Sequence, residues 1–103
     1  MYSRETAIAL SQNLVTDCLK QGIKIEKAIL FGSMAKNQQT ENSDIDVALI
    51  SNMFGNNFIL NNKMTSKINI KYPRIEIHHF NNDYYKKSDP FIDEINKTGI
   101  VLE

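Results

Sequence analysis

Residues 30–50 read LFGSMAKNQQTENSDIDVALI: an apolar run ends at Gly32-Ser33, ten mostly polar residues follow, and Asp44 and Asp46 stand one residue apart at the mouth of a second apolar run. The first run, residues 25–31, is rich in branched and aromatic side chains and stops at a glycine, which predicts a strand; residues 45–50 predict a second. Successive side chains alternate across a strand, so Asp44 and Asp46 share one face while Ile45, Val47 and Leu49 share the other. The strand rise sets the two carboxylates about 6 to 7 Å apart along the backbone, close enough to repel. A divalent cation between them removes the conflict, and hard oxygen donors suit magnesium, which keeps waters and completes its shell with substrate phosphates. The ordinary alternative is a pair of solvated residues in a loop that runs into a strand.

Gly32-Ser33 bears on that choice. At a strand end, ahead of a short helix expected over residues 34–38, the pair offers backbone N–H groups, a hydroxyl and no side chain to block close approach, which is how a phosphate is held. Lys36, one turn on, either adds a point charge to the same phosphates or faces solvent. Because only ten residues join Ser33 to Asp44, cradle and carboxylates are expected at the same edge of the sheet.

The rest of the chain supplies elements to pack against these strands. Apolar residues from Ala7 to Leu19 recur at three- and four-residue steps, predicting an amphipathic helix over residues 3–21 that Gly22 ends. Residues 56–70 predict a second helix with Phe58, Ile59, Met64 and Ile68 on its apolar face, stopped by Pro73. A strand over 75–80, a helix over 89–97 with Pro90 in its first turn, and a last strand over 100–102 complete an α/β (α+β) pattern: a small mixed β-sheet with flanking helices.

Composition narrows the function classes. With 103 residues, 42% hydrophobic and 23% charged, the chain is expected to form one domain over residues 1–103. Twelve basic and twelve acidic residues cancel, so overall charge gives no reason to expect nucleic-acid binding or an anionic membrane surface as partner. Cys18 is the single cysteine, which excludes an intramolecular disulfide and a multi-cysteine zinc site, fits a reducing compartment, and reads as a small buried helix residue. No stretch approaches the roughly 20 apolar residues of a membrane span and the N-terminus lacks a signal-peptide core, so the expected location is cytoplasmic.

ILFGSMAK followed by NSDIDVALI resembles the signature of the minimal nucleotidyltransferases, small relatives of DNA polymerase beta: Gly-Ser, a spacer of this length, then Asp-x-Asp. The N-terminal helix, a later strand carrying a carboxylate and the ending PFIDEINKTGIVLE extend the resemblance over nearly the whole chain. It implies the nucleotidyltransferase fold, with Gly32 and Ser33 on nucleotide phosphates, Lys36 where the family usually has a basic residue, and Asp44 and Asp46 as magnesium ligands. The family's third carboxylate corresponds to Glu76 in RIEIHHF, where aspartate is usual. In a two-metal site Glu76 would hold the catalytic ion and help to deprotonate the attacking hydroxyl, but its extra methylene shifts the carboxylate by about one bond length where catalytic geometry tolerates only ~0.5 Å. Alternation puts Arg74, Glu76 and His78 on one face of this strand and His79 on the other, so the histidines cannot both ligate one ion; His78 either lines the site or is structural or solvated.

The resemblance further implies transfer of AMP from ATP onto a hydroxyl, with two magnesium ions assisting, and a tyrosine of a HEPN-type toxin as acceptor, the chain serving as antitoxin. The alternative is a catalytically idle module of the same fold that neutralises a partner by contact. A small-molecule modifying enzyme is disfavoured, since such enzymes usually carry an extra acceptor domain.

Overall fold

A computed structural model of the chain describes residues 3–40 and 42–102; Glu41 in the polar spacer and Glu103 at the end of the quoted C-terminal stretch lie outside the described residues. Helix α1 spans Arg4–Lys20. Ser3 caps it, its Oγ accepting from the Thr6 N–H at 3.1 Å. At the other end the Gly22 N–H donates to the Leu19 carbonyl and the Ile23 N–H to the Cys18 carbonyl. This paired closure needs a left-handed residue, and Gly22 has φ +86°.

Strands β1 (Lys27–Phe31), β2 (Ile45–Ile50), β3 (Ile75–Phe80) and β4 (Ile100–Val101) form one sheet in the order β3-β2-β1-β4. Strand β1 runs antiparallel to β2 and β4, and β2 runs parallel to β3. The parallel pair requires a crossover, which α2 (Phe58–Asn69) provides. Both faces of the two central strands are covered, which is why β1 and most of β2 are apolar without alternation. Ala28, Leu30, Ile45, Val47 and Leu49 pack with Leu14, Val15 and Cys18 of α1 and Ile68 of α2. Ile29, Phe31, Ala48, Ile50 and Phe80 pack on the other face, under Tyr85 of α3 (Asn82–Lys86) and under Ile92 and Ile95 of α4 (Pro90–Thr98).

Two expectations need correction. Helix α2 buries only part of the face expected of it: Ile68 is buried and Met64 packs partly buried on the same core, but Phe58 and Ile59 are 73% and 66% exposed, and Asn61 and Thr65 face inward. The polar pair is tolerated there because both members find partners. Asn61 bonds the Gly55 backbone twice, donating to the carbonyl at 2.9 Å and accepting from the N–H at 3.0 Å, and Thr65 Oγ1 lies 2.9 Å from His79 Nε2. Residues 34–38 form no helix, only one turn that closes with Lys36 N–H on the Gly32 carbonyl and leaves through Asn37 at φ +58°. Among the described residues, no helix is long and apolar enough to cross a membrane.

Candidate functional site

Three strand ends meet at the candidate site. Phe31 at the end of β1 pairs with Asp46 near the start of β2, and Asp46 pairs in turn with Glu76 near the start of β3. These side chains and that of His78, two residues beyond Glu76, therefore emerge on the face that α4 covers farther along the sheet. Asp46 and His78 are half-buried, Glu76 is exposed, and each offers one ligand atom within 4.8 Å of the others. His78 Nε2 lies 3.2 Å from Asp46 Oδ1 and 3.9 Å from Glu76 Oε1.

Behind Asp46 stands Gly32. Its φ is +77°, and a Cβ at this position would lie 2.6 Å from Asp46 Oδ2, so the carboxylate would have to shift to admit it. The turn thus requires glycine for its backbone conformation, and the missing side chain leaves the space the carboxylate occupies. Ser33, half-buried, follows directly, while the buried Met34 and Ala35 anchor the turn in the core below α1. Lys36 reaches not toward the carboxylates but to Glu94 of α4, with Nζ 3.2 Å from Oε1. Such a surface pair contributes no more than about 1 kcal/mol, so an arriving phosphate can displace it.

Asp44 precedes β2 and is exposed, outside the three-residue cluster. It borders an open groove of about 550 Å³ along the edge strand β3, which Glu76 and His78 also line. Its approach is braced: Arg74 Nη2 donates to the Ser43 carbonyl at 2.7 Å, and the Ile45 N–H donates to the Arg74 carbonyl at 2.8 Å. Of the expected site residues, Gly32, Asp46 and Glu76 converge, Ser33 and Asp44 border the convergence, and Lys36 is held aside. His78, left open by the sequence, belongs to the cluster. His79 points to the opposite face, against Thr65 and edge-on to Phe54. Burial, and secondarily the neighbouring charge of His78, lowers its pKa to about 4.

Aromatic side chains wall the site on the α4 side. Phe31 meets the His78 ring edge-on at 4.9 Å between centroids, and Phe91, half exposed on α4, meets Phe31 at 5.7 Å. The arrangement offers two converging carboxylates, a third at the rim, and a glycine turn beside them. Carboxylate oxygens of this kind fit a hard divalent cation such as magnesium, and the turn fits the phosphates that would accompany it.

The family model of polymerase beta, nucleotidyltransferase, matches residues 13–103. A candidate protein adenylyltransferase of Methanocaldococcus jannaschii is 36% identical over 74 residues, which cover 68% of this chain and 74% of that protein. Among solved structures, a chain from a toxin-antitoxin complex with AMP-PNP superposes with a TM-score of 0.63 at 19% identity, over 89% of this chain and 72% of its own. A chain from the complex of tri-AMPylated Shewanella oneidensis HEPN toxin with MNT antitoxin superposes with a TM-score of 0.58 at 17% identity, over 93% and 71%. At such identities the two structural likenesses speak for the fold.

Proposed function

The chain is a nucleotidyltransferase of the polymerase beta family, and we propose that it moves AMP from ATP, with magnesium, onto a tyrosine hydroxyl of a HEPN-type toxin that it restrains as antitoxin. The carrying observation is the Gly32 turn backed onto Asp46, with Glu76 beside it. Protein acceptance is supported by the adenylyltransferase relative, and the toxin acceptor by the complexes with the same fold.

In this reading Gly32 and Ser33 receive the triphosphate through backbone N–H groups and a hydroxyl, and Lys36 leaves Glu94 to join them. Asp44 and Asp46 would hold the magnesium that accompanies the nucleotide, and Glu76 with Asp46 would hold a second ion. When bound, magnesium would offset charge on the attacking and leaving oxygens. Glu76, exposed and next to the open groove, accepts the proton of the acceptor hydroxyl as that oxygen bonds to the α-phosphorus and pyrophosphate leaves. Because the Glu76 side chain is 59% exposed, a change of side-chain torsion can absorb its extra methylene.

The test is transfer of label from ATP, with magnesium, to the product of the adjacent gene, followed by mass spectrometry of the acceptor. The unmodified chain should add adenylate to a tyrosine. Asp46→Asn should lose magnesium-dependent ATP binding in calorimetry. Glu76→Gln should retain ATP binding and lose about 10² to 10⁴ in transfer rate, as expected for removal of a general base. ATP binding without transfer by the unmodified chain would put contact neutralisation in place of catalysis.

A further inference from the structure

We propose that His78 is a metal ligand, and that Asp46, Glu76 and His78 form a mixed carboxylate–imidazole position that takes a first-row divalent transition ion in preference to magnesium. The inference deepens the proposed function, since it rests on Asp46 and Glu76 holding a metal there.

Three observations carry it. First, the imidazole is aimed: Nε2 faces both carboxylates at once, 3.2 Å from Asp46 Oδ1 and 3.9 Å from Glu76 Oε1. One ring N–H can satisfy one acceptor well, whereas one cation satisfies all three groups. Second, the spacing suits a shared ion. Neighbouring ligands about 2.1 Å from one metal stand about 3 Å apart, close to the Asp46–His78 separation of 3.2 Å. Glu76, with its side chain 59% exposed, is free to close its longer gap. Third, the ring is held by packing, since Phe31 meets it edge-on at 4.9 Å.

Donor chemistry then sets the preference. Carboxylates alone suit magnesium, but an imidazole nitrogen adds affinity for transition ions and little for magnesium, which favours oxygen and gives up its waters reluctantly. Asp44, outside the cluster, would remain an oxygen donor for the magnesium that accompanies the triphosphate. The two ion positions would thus differ in kind.

Manganese, a paramagnetic probe, tests this on untagged protein without nucleotide or acceptor. Free Mn2+ is counted by electron paramagnetic resonance, and coupling of the bound ion to ring nitrogen is read by its pulsed form. The unmodified chain should bind Mn2+ with nitrogen coupling that His79→Gln retains and His78→Gln loses. His78→Gln should weaken Mn2+ binding by about tenfold or more, no less than the loss of an outer-shell partner costs, and change magnesium affinity, measured by competition, by less than about threefold. Absence of nitrogen coupling in the unmodified chain, its survival in His78→Gln, or unchanged Mn2+ affinity in that variant would overturn the proposal and leave the imidazole as a hydrogen-bond partner of Asp46. If His78→Gln does not fold, the other two proteins still decide, because the chain has only two histidines and coupling kept by His79→Gln must come from His78. Failure of adenylate transfer would not move this readout. Mn2+ bound without nitrogen coupling would sink the inference and leave the transfer reading standing.

Discussion

Gly32 and Gly22 both adopt positive φ, yet they carry different weights because only one has a neighbour. At Gly22 a Cβ would meet nothing within 4 Å, so Gly22→Ala should cost about 1 to 2 kcal/mol of backbone strain and leave nucleotide binding unchanged. At Gly32 the same strain is joined by displacement of the Asp46 carboxylate, whose Oδ2 stands 2.6 Å from the required Cβ. Gly32→Ala should therefore destabilise by about 1 to 3 kcal/mol and also weaken magnesium-dependent ATP binding, by a factor on the order of ten to a hundred if it acts as loss of a ligand's support does. Urea unfolding and calorimetry on both variants check this; equal ATP affinities would mean that Gly32 serves the backbone alone.

At the level of elements, helix α2 is tied to the loop before it and to strand β3 by polar contacts that hydrophobic periodicity does not reveal. Asn61 is 7% exposed and holds both backbone groups of Gly55. Asn61→Ala leaves that donor and acceptor without these partners and should cost about 1 to 3 kcal/mol, read as a lower urea midpoint at unchanged slope. His79, opposite Thr65, links the same elements to pH. Its folded pKa is lowered from 6.5 to about 4, by burial first and by His78 second. Above pH 6.5 the ring is neutral in folded and unfolded chains alike, and its contribution is fully present. As pH falls from 6.5 toward 4 the unfolded chain takes up a proton that the folded one refuses, so stability declines, and below about 4 this decline levels off. Denaturation midpoints between pH 7 and pH 4 should fall less steeply in His79→Gln than in the unmodified chain; parallel profiles would assign the pH dependence to other groups.

For the whole molecule, both cores press on the same central strands, one under α1 and α2 and the other under α3 and α4. Neither layer can leave without exposing β1 and β2, and the radius of gyration of 12.8 Å is that of one compact unit of this length. Unfolding followed by helix signal and by tyrosine fluorescence should therefore coincide in a single transition. Cys18 offers an independent probe, fully buried between α1 and the sheet, its thiol pushed up to about 11 chiefly by burial. Its alkylation at pH 8 should be negligible in native conditions and should track the same transition; fast native labelling would mean that α1 opens alone. The sequence by itself determined what local chemistry dictates: α1 with its Gly22 stop, the apolar central strands, the Gly32-Ser33 turn and, through alternation, the shared face of Glu76 and His78. The five-residue α3, with Tyr85 as its buried residue, was too short to leave a periodic signal. What only the tertiary structure decided depends on partners distant in the chain. Parallel pairing in the register Asp46 with Glu76 gathers His78 into the cluster and leaves Asp44 outside it. The Gly55 backbone and His79 turn the polar side of α2 inward, and Glu94 draws Lys36 away. A side chain's face follows from backbone period, but its neighbour follows from how separate elements are registered against one another, and central strands buried on both faces lack the alternation that would fix that register.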